Sequence, residues 1–148
     1  MRIVTAEDIN RVLTYPALID VLAEAFRSDI AVPVRHHHTI PQPGADATLL
    51  LMPAWNLVSP ARPDAKSQST LAGRAHSERY LGCKIVTVFP DNAKTQRPSV
   101  YGQYLLLSGD TGEPLAMIDG RALTTWRTAC ASALAARFLA REDAAQTS

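Results

Sequence analysis

The sequence predicts an α+β domain in which helices flank a mixed, largely antiparallel sheet. Apolar residues recur at helical spacing in the first 26 residues. Strand-sized apolar runs separated by turns fill the middle of the chain, and an alanine-rich helix closes it. With 148 residues, the chain has the length of about one domain.

Both N-terminal helices have start signals. Thr5 is followed three residues later by Asp8, which resembles a capping box with aspartate in place of the usual glutamate. The second helix follows Pro16, whose fixed backbone angle suits a first helical turn. Its predicted apolar stripe consists of Leu18, Val21, Leu22, Ala25 and Phe26.

The middle of the chain is predicted to form strands. The segments "SVYGQYLLL" and "LAMID" are joined by the turn "SGDTGEP", which predicts a hairpin. Residues 56–79 are polar and without periodicity, which predicts a long surface loop. The other predicted strands are "VPVRHHHTI", "ATLLLMPAW" and "YLGCKIVTVF".

Composition excludes several classes of function. A net charge of +1 gives no electrostatic basis for binding nucleic acid. The cysteines, Cys83 and Cys130, lack the spacing of a metal or redox motif and favour a reducing, cytoplasmic compartment. The start of the chain lacks the apolar run of a signal peptide, and no stretch has the length of a membrane span. No glycine-rich phosphate loop or nucleophile elbow is present.

The closing helix places an arginine in an unusual position. If Thr124 is the N-cap, Arg127 occupies the first turn, where the helix dipole disfavours a cation unless an anion joins it. Arg127 then suits a carboxylate or phosphate site, or else it is a surface arginine whose stem covers an apolar face. The predicted buried stripe of this helix consists of Trp126, Ala129, Cys130, Ala133, Leu134 and Phe138.

A lysine interrupts an apolar strand. Residues 81–89 are apolar except for Lys84 and Thr87, which predicts a strand buried on both faces. Partial burial would lower the pKa of Lys84 and suit it to proton transfer or to holding a substrate carboxylate. The alternative is a lysine on an exposed face of the sheet.

The "RHHH" segment contains a third candidate. In an extended strand only His36 and His38 of the triplet share a face, and no carboxylate lies nearby in sequence, so the pattern does not favour a metal site. Arg35 lies on the other face and is the better candidate for binding an anion.

These residues stand within motifs that resemble the N-terminal part of the ornithine cyclodeaminase/mu-crystallin family. The segment "TGEPLA" leading into "LTTWRTACASALAARFLA" is specific to that family, and "LGCKIVTVFPDN" supports the resemblance independently. The strands "VPVRHHHTI" and "LLLMPAW" match in the same order, whereas residues 56–79 match poorly.

The resemblance implies roles for all three basic residues. Arg35 and Arg127 match arginines that bind the substrate α-carboxylate. Lys84 matches a lysine beside that carboxylate and the reacting carbon, and is therefore the implied catalytic residue. The resemblance further implies an NAD- or NADP-dependent enzyme acting on a small amino or imino acid by hydride transfer at the α-carbon. The alternative is a non-catalytic, mu-crystallin-like ligand-binding protein or a dimerisation module.

The resemblance also implies a domain arrangement. Residues 1–123 match part of the substrate-binding and dimerisation domain, and residues 124–148 match a helix that connects to the NAD(P)-binding Rossmann domain. The cofactor fingerprint of that domain is absent from this sequence. We therefore expect a homodimer in the full-length protein, and we expect this chain alone to be inactive.

Overall fold

The computed structural model describes residues 1–56 and 79–140. The predicted loop at residues 56–79 lies outside this range apart from its two ends. The elements in chain order are β1 (Arg2–Val4), α1 (Ala6–Val12), α2 (Tyr15–Ala25), β2 (Ile30–Ala31), β3 (His36–Ile40), β4 (Ala47–Asn56), β5 (Tyr80–Val88), a 3₁₀ helix (Pro90–Thr95), β6 (Val100–Ser108), β7 (Pro114–Asp119) and α3 (Gly120–Leu139).

The strands form one sheet with the order β1-β7-β6-β5-β4-β2, and β3 also pairs with β4. Every pairing in this part of the chain is antiparallel except that of β1 with β7. The predicted α+β class and the β6–β7 hairpin are therefore confirmed. Strand β1 was not predicted, because the sequence pattern indicated only the helix that follows it.

Helix α1 begins as predicted. The Thr5 hydroxyl accepts a hydrogen bond from the Asp8 N–H at 3.2 Å, and the Thr5 N–H donates to the Asp8 carboxylate at 3.1 Å. The Thr5 N–H and the Thr5 hydroxyl both donate to the Asp8 carboxylate, and these two bonds lower the pKa of Asp8. The capping box satisfies N–H groups that the helix itself leaves without a partner.

The helices pack together through a narrow contact between α2 and α3. Buried Ile19, Cys130 and Leu134 form its centre, and Leu18, Leu22, Ala23 and Trp126 pack around them. The contacting residues of α3 recur every four positions, so the side chains between them turn towards solvent. The predicted stripes were therefore too wide, since the exposed residues include Val21, Phe26, Ala129, Ala133 and Phe138.

Helix α3 begins five residues earlier than predicted. Asp119, not Thr124, is the N-cap, and its carboxylate accepts the Ala122 N–H at 2.8 Å. Arg127 is consequently the eighth residue of the helix, beyond the first turn in which the dipole acts. The expected opposition between the helix dipole and the arginine charge therefore does not arise.

The start of α3 lies directly against β6. A Cβ atom on Gly120 would stand 2.7–2.8 Å from backbone atoms of Gly102 and Gln103. Backbone atoms cannot rotate away as a flexible side chain can, so only glycine fits at this position. This close approach positions the first turns of α3 over β5 and β6.

Gly120→Ala is expected to lower the free energy of unfolding by about 1–3 kcal/mol, because the added methyl group overpacks a backbone contact. Helix propensity alone would favour alanine by up to about 1 kcal/mol. Gly102→Ala is the matched control, since its Cβ would meet Gly120 at an ordinary 3.7 Å. Urea unfolding of both variants checks this, and equal stabilities would contradict the proposed contact.

Candidate functional site

The candidate site lies where α3 crosses β5. Lys84 on β5 donates a hydrogen bond from Nζ to Thr124 Oγ1 at 2.6 Å. Thr124 lies inside α3 and donates its own hydroxyl proton to the Gly120 carbonyl oxygen at 2.5 Å. The lysine is therefore tied to the helix through a side chain that the sequence had placed at the N-cap.

Lys84 lies on the face of the sheet that α3 covers. Its neighbours on the same face of β5, Gly82 and Val86, are the buried residues of that strand, whereas Cys83 and Ile85 on the other face are partly exposed. The prediction of a strand buried on both faces was therefore wrong, because α3 covers one face only.

The glycine of the "GCK" segment accommodates a tyrosine. Tyr104 lies opposite Lys84 in the register of β5 and β6, and its ring occupies the space that a Cβ on Gly82 would need. Partial burial raises the pKa of Tyr104, with a smaller contribution from Cys83. Tyr104 was not predicted from sequence, because only the strand register reveals that it neighbours Lys84.

The electrostatics of the site disfavour a charged lysine. Burial is the main cause that lowers the pKa of Lys84, and the positive charge of Arg127 lowers it further. The structure thus places Arg127 near enough to Lys84 for their charges to interact. In the described ranges the ion pairs are Arg11–Asp8, Arg79–Asp110, Lys94–Asp91 and Arg137–Asp20, so neither Lys84 nor Arg127 has a carboxylate partner there.

A cavity of about 390 Å³ opens beside Lys84. Its polar lining combines the two cations Lys84 and Arg121 with hydroxyl groups. The lining residues are Lys84, Val86, Pro98, Ser99, Val100, Gly102, Gly120, Arg121, Thr124 and Thr125. Since no acidic residue of the described chain lines this cavity, it favours an anionic or neutral ligand.

Arg35 is placed differently from the prediction. The predicted strand over residues 32–40 forms only from His36 onward, and Arg35 is an exposed residue just before it. Continuing the pairing of His36 with Leu51 by one residue puts Arg35 opposite Met52, which itself pairs with Lys84. Within residues 1–56 and 79–140 no hydrogen bond or ion pair joins Arg35 to Lys84 or Arg127.

His36 and His38 share a face as predicted, with ring centroids 6.3 Å apart. In the described part of the chain, no three or more His, Cys, Asp or Glu side chains are grouped to hold a metal ion. The same part has no helix with the length and apolarity that a membrane crossing requires.

The lowered pKa of Lys84 has a consequence for stability. Between that pKa and the ordinary value of 10.5, the unfolded chain binds more protons than the folded chain, so this residue makes stability rise with pH. We expect the unfolding free energy of Lys84→Met, relative to wild type, to fall as pH rises from about 7 to 10. Urea titrations at several pH values measure this, and a difference independent of pH would contradict the shift.

The structure is therefore an α+β domain in which helix α3 covers one face of the sheet and two cations, Lys84 and Arg121, line a cavity. The sequence profile of the ornithine cyclodeaminase/mu-crystallin family matches residues 68–148. The chain belongs to this family.

Several individual proteins are similar to this chain over most of its length. The Δ1-pyrroline-2-carboxylate reductase of Colwellia psychrerythraea is 32% identical over 146 residues, covering 97% of this chain and 40% of that protein. The Thermococcus litoralis Δ1-pyrroline-2-carboxylate reductase, solved with NADH and L-proline, has a TM-score of 0.69 at 25% identity and coverages of 97% and 39%. An archaeal alanine dehydrogenase dimer with bound NAD has the same score and identity, with coverages of 97% and 38%. This chain thus spans about two fifths of the length of these relatives.

Proposed function

We propose that this chain forms the substrate-binding part of an NAD(P)-dependent enzyme that acts on a small amino or imino acid by hydride transfer at the α-carbon. The observation that supports this most is the Lys84–Arg127 pair, which lacks a carboxylate partner in the described chain, together with the cavity of about 390 Å³ that Lys84 lines. The relatives solved with NADH and L-proline, or with NAD, support the same class of reaction.

Arg127 is proposed to bind the substrate α-carboxylate. A guanidinium fork forms paired, charge-assisted hydrogen bonds with a carboxylate, and a bound anion would relieve the repulsion between Arg127 and Lys84. Arg35 is proposed as a second arginine for the same carboxylate, because its continued register puts it in the cross-strand row of Lys84.

Lys84 is proposed as the catalytic residue. Reduction of a C=N bond adds a hydride to carbon and a proton to nitrogen, and the ammonium at Lys84 Nζ is suited to donate or position that proton. Its lowered pKa brings it closer to neutral pH, where an acid transfers a proton most effectively.

The cofactor is proposed to be NAD or NADP, which would supply or accept the hydride. A dinucleotide is usually held by a glycine-rich turn between a strand and a helix. The sequence of this chain has no such fingerprint, and the described turn from β7 into α3 serves to pack Gly120 on β6. The cofactor site is therefore assigned to no residue of this chain, and 124–148 remains the proposed connection to a Rossmann domain.

A second proposed role is pairing with another copy of this chain. The side chains of the sheet that alternate with those facing α3 are largely apolar and partly or well exposed. They include Leu49, Leu51, Trp55, Ile85, Tyr101, Leu105 and Leu107. Such a face is suited to a homodimer, and this observation also supports the alternative of a dimerisation module or a mu-crystallin-like binding protein without turnover.

The proposed function is tested on the full-length protein with NADH or NADPH. Δ1-pyrroline-2-carboxylate tests the reductase activity, and L-ornithine with NAD tests the cyclodeaminase activity. We expect substrate-dependent oxidation of the reduced cofactor, or release of ammonia, with at least one of these substrates. Cofactor binding without any turnover would instead favour the ligand-binding alternative.

A further inference from the structure

We propose that Thr124 is the positioning residue for Lys84, and that it fixes the direction in which the lysine ammonium faces the cavity. Thr124 accepts a hydrogen bond from Lys84 Nζ at 2.6 Å and donates one to the Gly120 carbonyl at 2.5 Å. This role deepens the proposed function on which it rests.

The two hydrogen bonds of Thr124 constrain each other. A hydroxyl group has one proton and two lone pairs. Because the proton of Thr124 is committed to the Gly120 carbonyl, only a lone pair is available to Lys84. A neutral amine could also donate to that lone pair, but the bond from an ammonium is charge-assisted and stronger, so this contact favours the protonated lysine.

Gly120, whose carbonyl accepts the Thr124 hydroxyl proton, is held rigidly. Gly120 is buried, and its Cα lies so close to the backbone of Gly102 and Gln103 that no side chain fits between them. The preceding Asp119 caps the helix and fixes its first turn. The backbone of β6 therefore fixes the position of the Lys84 ammonium through Gly120 and Thr124.

The Thr124 hydroxyl favours the charged form of Lys84, whereas its charged neighbour Arg127 disfavours it. Arg127 lies on the same helix, Arg121 lines the same cavity from that helix, and Tyr104 faces Lys84 from β6. The positive charge of Arg127 disfavours the ammonium, and Tyr104 is neutral below its raised pKa. In the described chain the contact that favours the charged lysine is the Thr124 hydroxyl, since no carboxylate lines the cavity.

The test is a nuclear magnetic resonance titration of Lys84, with selective ¹³C labelling of lysine Cε, in wild type, Thr124→Val and Thr124→Ser. Valine removes the acceptor and keeps the shape, whereas serine keeps the acceptor. We expect the Lys84 midpoint to fall by about one pH unit in Thr124→Val and to stay at the wild-type value in Thr124→Ser. Thr125→Val is the control for the titration, because the Thr125 hydroxyl bonds only the Arg121 carbonyl in the described chain, and it should leave the midpoint unchanged.

The kinetic readout is the pH profile of kcat/KM. In Thr124→Val we expect the midpoint of this profile to fall, as the Lys84 midpoint does in the titration. We also expect kcat/KM at neutral pH to be roughly tenfold lower than in wild type. Wild-type behaviour of Thr124→Val in the titration, or identical behaviour of the valine and serine variants, would overturn the proposal. If valine prevents folding, Thr124→Ala replaces it with the same expectation. Absence of turnover in wild type would refute the proposed function, while the titration would still decide the role of Thr124.

Discussion

Lys84→Met is expected to lower kcat of the full-length protein by about 10²- to 10⁴-fold, the usual contribution of a general acid or base. Methionine keeps the length of the apolar stem and removes the Nζ group that lies 2.6 Å from Thr124 Oγ1. Steady-state rates at saturating cofactor and substrate measure the loss. Lys84→Arg should restore charge but not rate, because a guanidinium does not release its proton near neutral pH.

Lys94→Met is the matched control. Lys94 is an exposed lysine of the 3₁₀ helix that pairs with Asp91 at 2.8 Å. An exposed ion pair of this kind contributes little to stability, so the variant should fold and retain wild-type rates. If Lys84→Met kept more than a third of the wild-type kcat, Lys84 would not be the catalytic residue.

Arg127→Leu is expected to raise KM for the amino or imino acid by roughly 10- to 100-fold, which corresponds to the loss of charge-assisted hydrogen bonds to a carboxylate. The KM for the cofactor should change far less, because the proposed partner of Arg127 is the substrate. The same variant should raise the pKa of Lys84, since it removes a repelling positive charge.

Arg137→Leu provides the control on the same helix. Arg137 bonds Asp20 at 3.0 Å on the surface, far along α3 from Lys84 and Thr124. This variant should leave both KM values unchanged. Equal kinetic effects of Arg127→Leu and Arg137→Leu would show that Arg127 acts through helix stability and not through the substrate.

Much of the fold could be predicted because it depends on local patterns. The Thr5–Asp8 capping box, the proline at the start of α2 and the β6–β7 hairpin all carry their signals within a few residues. Strand β1 carries no such signal, since three residues become a strand only by pairing with β7, more than a hundred positions away.

The start of α3 shows where a local signal misleads. Thr124 is a favourable N-cap residue by type, but Asp119 is another, and a glycine between them lowers the predicted helix propensity. The structure uses Asp119 because Gly120 must lie against β6, a contact that the sequence does not display. The wrong N-cap placed Arg127 in the first turn of the helix, whereas it lies in the third.

Some residues of the candidate site are recognisable in the sequence. Lys84 is recognisable as a lysine within an apolar strand and Arg127 as part of a motif, and the structure brings the two together. Thr124 and Tyr104 became visible only through the packing of α3 on β5 and the register of β6. Arg35 remains a prediction, because its neighbours follow from continued register and not from an observed contact.

We propose above all that Arg127 binds the carboxylate of an amino or imino acid beside the catalytic Lys84. Calorimetric titration of the full-length protein, in the presence of NAD, with L-proline and with L-prolinamide tests it most directly. The two ligands share a ring and differ in whether a carboxylate is present. We expect L-proline to bind at least tenfold more tightly, with the difference lost in Arg127→Leu. Equal affinity for both ligands, or a preference for L-proline that survives in Arg127→Leu, would contradict the claim.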